Sequence, residues 1–258
     1  MHITGNTVLI TGGGSGIGRA LAEAFQAKGN KVIIAGRTQS LLDEVVAANP
    51  GMARAVLDIE NAASIKAFAL QLVKDHPALN AVIHNAGIML NENVKRDDAS
   101  TAEETIATNL LGPIRLNAAL IPHLLAQPSA TVMTVSSGLA FMPLAMTPSY
   151  CASKAAIHSY TESLRYQLKD TAIQVMELVP PYVQTTLMGE RQKNDPHAMP
   201  LAAFVSEVMG LIESQPDACE ICVERVKPQR GAASSGGYSA FFKQFNDAML
   251  AARGAEMS

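Results

Sequence analysis

An α/β fold, a doubly wound parallel sheet in three α/β/α layers, is what this 258-residue sequence predicts. Two observations carry it. Short, near-continuous apolar runs rich in Val and Ile alternate with longer segments of helical periodicity, the pattern of strands buried on both faces. A glycine-rich turn stands between the first apolar run and the first helical segment. Right-handed crossovers between successive parallel strands then place helices on both sides of one sheet.

The elements follow in order. Residues 7–11 are apolar and β-branched, a first strand. Residues 17–28 put Ile17, Leu21, Ala24 and Phe25 on one helical face, and Gly29-Asn30 closes that helix. Residues 31–35 form a second strand, and a helix over 40–48 stops at Asn49-Pro50-Gly51. A third strand over 53–57, a helix over 62–74 and a fourth strand over 81–84 follow. One long helix is predicted over 101–125, a strand over 130–136, a helix over 149–169 and a sixth strand over 173–179. Residues 186–200 mix Gly, Asn, Asp, Pro and charge and read as a mobile loop. A helix over 201–213, a short last strand over 220–223 and a small-residue linker over 231–237 come next. Tyr238, Phe241, Phe242, Phe245 and Met249 share one face of a tail helix, packed on its own domain or against a second subunit. The whole of 1–258 reads as a single domain, with 186–258 supplying a substrate loop, the last strand and the tail.

Composition narrows the function. Hydrophobic residues are 48% and charged residues 17%, which excludes an intrinsically disordered chain. The net charge of -3 leaves no basic excess for a phosphate backbone, so no nucleic-acid partner is expected. No apolar run approaches the roughly 18 residues of a membrane span. The first residues run straight into a strand without a secretory pattern, and three cysteines make no disulfide framework, so a cytoplasmic protein is expected. Cys219 and Cys222 have C-x-x-C spacing, but a strand points them to opposite faces and no partner pair follows, so no metal site is expected.

The turn reads Thr11-Gly12-Gly13-Gly14-Ser15-Gly16-Ile17-Gly18. Gly12 permits the tight turn, Gly16 lets the backbone approach a pyrophosphate, and Gly18 lets the helix pack on the sheet. The free N–H groups at the helix start hold phosphate charge. At the end of the second strand, Ala35-Gly36-Arg37-Thr38 carries no carboxylate for ribose hydroxyls. Arg37 offers a planar fork for a 2′-phosphate and Thr38 adds a hydroxyl, so NADP(H) is predicted over NAD(H) as cofactor.

Tyr150 and Lys154 lie four apart, on one face of a helix. Ser137 stands just past the fifth strand, at the carboxyl edge where such sheets bind ligands. Transfer between a carbonyl and an alcohol needs a hydride, which a nicotinamide supplies, and a proton donor. A free tyrosine, with a pKa of about 10, exchanges protons too reluctantly near neutrality, and a neighbouring Lys154 cation is expected to favour the phenolate. Ser137 can donate to the substrate oxygen as charge builds there.

With this loop, the Asn85-Ala86-Gly87 turn, the thirteen-residue step from Ser137 to Tyr150 and the Tyr-x-x-x-Lys pair, the sequence resembles the short-chain dehydrogenase/reductase family over about residues 5–185. The resemblance implies a Rossmann-type fold and an NADP(H)-dependent oxidoreductase that interconverts a carbonyl and a secondary alcohol. It implies Tyr150 as acid/base, Lys154 on the nicotinamide ribose, and Asn109 as the asparagine that orders a water for proton delivery. Asp58 would bond the adenine and Ile59 pack on it; Asn85 would stabilise the sheet, and Ala86 and Gly87 line the cofactor. Pro180, Val183 and Thr185 match the segment that holds the nicotinamide carboxamide. Pro181 replaces the family glycine there, and the double proline resembles a DltE-type subgroup. A homodimer or homotetramer is implied, through the helices around 101–125 and 149–170.

Candidate substrate contacts are Ser137, Leu139, Tyr150 and Tyr182. Pro143, Leu144, Met146 and Pro148 make the mouth apolar, with Phe141 and Leu187 adding to it, which favours a small, partly apolar substrate. His84 reads as a packed strand-end histidine and Cys151 as a packed thiol. A dinucleotide-sensing binding protein of the same fold is the alternative function; the intact Ser137, Tyr150 and Lys154 set speaks for the enzyme.

Overall fold

A computed structural model describes residues 1–96 and 98–253. Seven parallel strands form one sheet in the order β3-β2-β1-β4-β5-β6-β7. They are β1 (Thr7–Thr11), β2 (Lys31–Gly36), β3 (Ala53–Val56), β4 (Ala81–His84), β5 (Ala130–Val135), β6 (Ile173–Val179) and β7 (Glu220–Cys222). The helices between them are α1 (Gly16–Ala27), α2 (Gln39–Ala48), α3 (Ala62–Asp75), α4 (Ser100–Ile106), α5 (Gly112–Leu124) and α6 (Pro148–Gln167). Beyond β6 lie α7 (Glu190–Lys193), α8 (Leu201–Ser214), α9 (Lys227–Arg230) and α10 (Tyr238–Arg253). The doubly wound sheet in three layers is as predicted.

The alternation of strand side chains decides the two cores. Val8, Ile10, Ile34, Ile83 and Met176 point to one face and meet Leu21 and Phe25 of α1 and Phe204 and Val208 of α8. Leu9, Ile33, Val82, Val132 and Val175 point to the other and meet Leu72 of α3, Leu116 and Leu120 of α5 and Leu164 of α6. Leu9 and Ile10 are fully buried on opposite faces, so a one-residue register slip in β1 would swap both cores.

Three expectations are corrected. The helix over 101–125 is not one α-helix: a π-turn, Ala107–Leu111, stands between α4 and α5. Gly112 follows it because a Cβ there would come within 2.5 Å of Ile59 Cγ1, and the extra residue per turn rotates Asn109 into the interior. The 186–200 segment is packed rather than open: Gln192 and Met199 are buried, and Val183 bridges Met199. The 231–237 linker carries a 3₁₀ turn, Ala232–Ser235, whose Ala232 is buried.

Candidate active site

The turn after β1 is cramped in the way its glycines require. Gly12 has φ +68°, and a Cβ there would lie 2.9 Å from the Ala86 backbone. A Cβ on Gly18 would fall 2.3 Å from the Gly12 carbonyl oxygen, which is the close helix-to-sheet contact expected. Thr11 Oγ1 accepts from the N–H groups of Asn85 and Ala86, at 3.1 Å each, and Asn85 Nδ2 donates to the Thr11 carbonyl at 3.0 Å. The Asn85-Ala86-Gly87 turn is thereby bolted to the glycine loop. Gly16 has φ +52°, and only Thr185 lies near the space its missing side chain would take, at 3.5 Å.

Two joined clefts open along this carboxyl edge. One, of about 220 Å³, reaches from Gly12, Ser15, Gly16 and Ile17 past Gly87 to Ser137, Tyr150, Lys154, Pro180, Val183 and Thr185. The other, of about 200 Å³, shares Gly12, Ser15, Ala86 and Gly87 and runs past Gly14 to Arg37, Thr38 and Ile59. A cradle of small residues at a helix N-terminus, with a guanidinium at one end and the Ser137, Tyr150 and Lys154 set at the other, fits an extended dinucleotide. Asp58 lies off this lining: it is exposed, and its Oδ1 accepts the Glu60 N–H at 3.1 Å.

Arg37 carries a partner that the strand-end sequence does not show. Its Nη1 lies 2.8 Å from Glu60 Oε1, and the Thr108 hydroxyl donates to the same oxygen at 2.8 Å. The carboxylate missing from the end of β2 is delivered from the turn that precedes α3.

At the other end, Ser137 and Tyr150 line the same cleft, and Ser137 Oγ accepts the Leu139 N–H at 3.1 Å. Lys154 Nζ donates to the Val135 carbonyl at 2.8 Å and stands 5.6 Å from the Tyr150 ring centroid. Burial pushes the Tyr150 phenol well above its ordinary value, and the Ser137 hydrogen bond opposes that. Burial likewise brings the Lys154 ammonium down to about 8, against the charge of Glu177. In the protein by itself, burial thus holds the phenol high with the Lys154 ammonium 5.6 Å from its ring.

Asn109 is buried beneath. Its Nδ2 donates to the Ile88 carbonyl at 2.9 Å and to Ser153 Oγ at 3.1 Å, and its Oδ1 accepts the Ile88 N–H at 2.9 Å. Both ends of the amide are engaged by protein. Pro180 accepts the Gly138 N–H at 2.9 Å, which ties the Ser137 turn to the end of β6.

Two substrate expectations are corrected. The Tyr182 hydroxyl meets Asp195 at 3.1 Å and Arg253, whose guanidinium also lies 4.8 Å from its ring, and Tyr182 lines a separate cleft with these two residues rather than the one that holds Tyr150. Phe141 packs edge-on to His158 at 4.8 Å and against Arg230 at 4.4 Å, and does not line the first cleft. Leu139, Leu144 and Met146 do surround Tyr150 and Cys151, and Leu187 lines the first cleft. Pro148 opens α6. His84 is buried, with Nε2 2.7 Å from Asn117 Oδ1, and Cys151 is packed, its Sγ accepting the Leu144 N–H.

Sequence reading missed four participants. Gln192, buried in the first cleft, donates to the Val183 carbonyl at 2.8 Å and to Thr185 Oγ1 at 3.1 Å. Glu92 caps the start of α6 through Ser149 N at 2.9 Å and Ser149 Oγ at 2.7 Å. Glu60 and Ser153 complete the set. Their only sequence signal is polarity, which surface residues share.

Known proteins resemble this chain along most of its length. Residues 6–196 match the family model for short chain dehydrogenase. The uncharacterized oxidoreductase DltE of Bacillus subtilis is 37% identical over 254 residues, 95% of this chain and 98% of the relative. Dehydrogenase/reductase SDR family member 7B of Danio rerio is 29% identical, over 72% of this chain and 63% of its own length. Among solved structures, a Burkholderia cenocepacia short chain dehydrogenase in complex with NADP superposes with a TM-score of 0.79 at 24% identity, over 95% of this chain and 98% of that one. Serine dehydrogenase from Escherichia coli gives 0.71 at 26% identity, over 83% and 94%.

Proposed function

Since the chain belongs to the short-chain dehydrogenase family, and is thus an oxidoreductase, we propose that it interconverts a carbonyl and a secondary alcohol on a small, partly apolar substrate, with NADP(H) preferred and NAD(H) accepted. The observation that carries this reading is the meeting of Ser137, Tyr150 and Lys154 at the end of the cleft whose other end holds the glycine loop. The dinucleotides named for structural relatives, NADP for most and NAD for one, agree with it.

When bound, the nicotinamide supplies or accepts the hydride. The chain's own groups do the rest. Gly12 to Gly18 would hold the pyrophosphate at the start of α1, and Arg37 with Thr38 would meet the adenosine ribose. Ile59 would pack at that end, while Val183 and Thr185, steadied by Gln192, would hold the carboxamide. Tyr150 gives its proton to the carbonyl oxygen, or takes it from the alcohol. Ser137 steadies the charge on that oxygen and, through its hydrogen bond, favours the phenolate. Lys154 would hold the ribose, and its ammonium stands 5.6 Å from the Tyr150 ring centroid. Asn109 is a positioning residue: it locks the chain after Gly87 to α6 through Ile88 and Ser153. Self-association through α4, α5 and α6 belongs to the same proposal, and light scattering reads it.

The test is hydride transfer followed by nicotinamide absorbance over a panel of ketones, aldehydes and secondary alcohols. Tyr150→Phe is expected to lower turnover on the order of a hundred- to ten-thousand-fold while cofactor binding persists. Unchanged turnover in that variant overturns the assignment. Specific cofactor binding with no transfer on any substrate favours the sensing reading.

A further inference from the structure

One carboxylate lies inside the core, behind the helix that carries Tyr150. Glu177 of β6 is fully buried. Its Oε2 accepts the His158 Nδ1–H at 2.7 Å, and its Oε1 meets no donor among the described residues. A buried carboxylate with one oxygen unpaired destabilises a fold, and such breaches gather at functional sites. The sheet register shows what Glu177 stands beside. It lies opposite Thr134 of β5, and the next residue, Val135, offers the carbonyl to which Lys154 Nζ donates at 2.8 Å. Lys154 and His158 are one turn apart on α6. The carboxylate and the ammonium therefore lie under the same stretch of helix.

The other charges nearby have partners or face solvent. On α6, Arg165 donates to the Val175 and Cys219 carbonyls at 2.9 Å each, and the exposed Glu162 lies 3.7 Å from His158 Nε2. On β7 and α9, Glu220 and Arg230 are joined by two hydrogen bonds of 2.8 Å. Burial pushes the Cys222 thiol of β7 up to about 11, so it stays neutral. Tyr150 and Cys151 share a helix with Lys154, the exposed Glu103 and Glu104 stand on α4, and neither β5 nor the π-turn carries a titratable side chain. Phe141 packs edge-on to His158 and holds the ring that bonds Glu177. The charge of Glu177 opposes the lowering that burial imposes on the Lys154 ammonium.

We propose that Glu177 is a positioning residue of the active site: it is the counter-charge of the Lys154 ammonium, fixed from behind by His158. The inference rests on Lys154 serving the oxidoreductase site. Glu177 lines neither cleft, so it acts on the reaction through Lys154 and not by touching cofactor or substrate.

The test reads the ammonium directly. Lysine isotopically labelled at Cε reports each titration by NMR, and Lys154→Arg identifies the Lys154 signal. The wild-type midpoint is expected at about 8. Glu177→Gln keeps the shape and removes the charge, and is expected to lower the midpoint by about one pH unit. Glu177→Asp keeps the charge and is expected to stay within about half a unit of the wild type. Glu162→Gln, at an exposed and screened position, is expected to leave the midpoint unchanged. NADPH affinity, read from nicotinamide fluorescence, gives the second readout. Glu177→Gln is expected to match the wild type at pH 6, where both ammonium groups are charged, and to bind up to about five-fold more weakly at pH 8. An equal loss at both pH values marks a purely structural role and overturns the proposal. So does an unmoved midpoint in Glu177→Gln, or as large a fall in Glu177→Asp. Midpoints that move as expected, without hydride transfer on any substrate, leave the charge pair standing and overturn the catalytic reading instead.

Discussion

Arg37 Nη1 and Glu60 Oε1 stand 2.8 Å apart at the mouth of the cleft past the glycine loop, although the two residues are separated by 23 positions and by all of α2 and β3. The pair makes the cofactor prediction specific. Arg37 is half exposed, so its bond to Glu60 is weak, about 0–1 kcal/mol, and a 2′-phosphate can compete for the guanidinium. Arg37→Ala is expected to weaken NADPH about ten-fold or more beyond its effect on NADH, the size of lost charged hydrogen bonds. Glu60→Gln is expected to tighten NADPH up to about five-fold, by removing both a competitor and a like charge. Equal losses for both cofactors in Arg37→Ala would show that the guanidinium does not read the phosphate.

Lys154 predicts an alkaline limit. Its ammonium loses its proton at about 8 because burial disfavours the charge, so the charged fraction falls as pH rises through that value. The kcat/KM profile is expected to decline with a midpoint near there. Lys154→Arg, whose side chain stays charged, is expected to lower the plateau and move the decline upward. A decline that keeps its midpoint in Lys154→Arg belongs to another group.

His84 predicts an acid-sensitive stability. Burial brings it from 6.5 to about 4, with the Asn117 hydrogen bond opposing. Below 6.5 the unfolded chain takes up a proton that the folded protein accepts only near 4. Stability at this site is therefore lost as pH falls through that window, and the loss levels off below it. The full effect is on the order of 3 kcal/mol. Urea unfolding of His84→Gln across the same window is expected to show a flatter pH dependence than the parent; parallel curves would assign the acid loss elsewhere.

Asn246 predicts how firmly α10 is held. Asn246→Ala leaves the Ala145 N–H and the Pro143 carbonyl without their partner, a loss of about 1–3 kcal/mol. Hydrogen exchange is expected to rise in α10 and in the 143–146 loop together, with β1 and β4 unaffected. Faster exchange in α10 alone would mean that the loop holds its shape without it.

How far the sequence could be read depends on the range of the interactions. β4 and β6 were legible to the residue, since an unbroken apolar run of that length has few other places to go. The glycine loop was legible because Gly12 and Gly18 answer clashes within one turn of chain. Tyr150 and Lys154 were legible because one helix sets their spacing. Asn109 was recognised as a motif, but the π-turn at Ala107–Leu111 was not, and the close approach of Gly112 to Ile59 just after it is a contact between distant segments.

By itself, then, the sequence determined the succession of strands and helices along the chain, the cradle after β1 and the membership of the Ser137, Tyr150 and Lys154 set. These follow from steric and periodic rules that act over a few residues. The tertiary structure alone decided that Glu60 pairs with Arg37, that Tyr182 meets Arg253 and that Phe245 and Met249 of the tail pack against the cluster that includes Tyr150. It decided the protonation of the site as well. Desolvation raises the phenol and lowers the ammonium, and it is a property of everything packed around a group, which no spacing along the chain encodes.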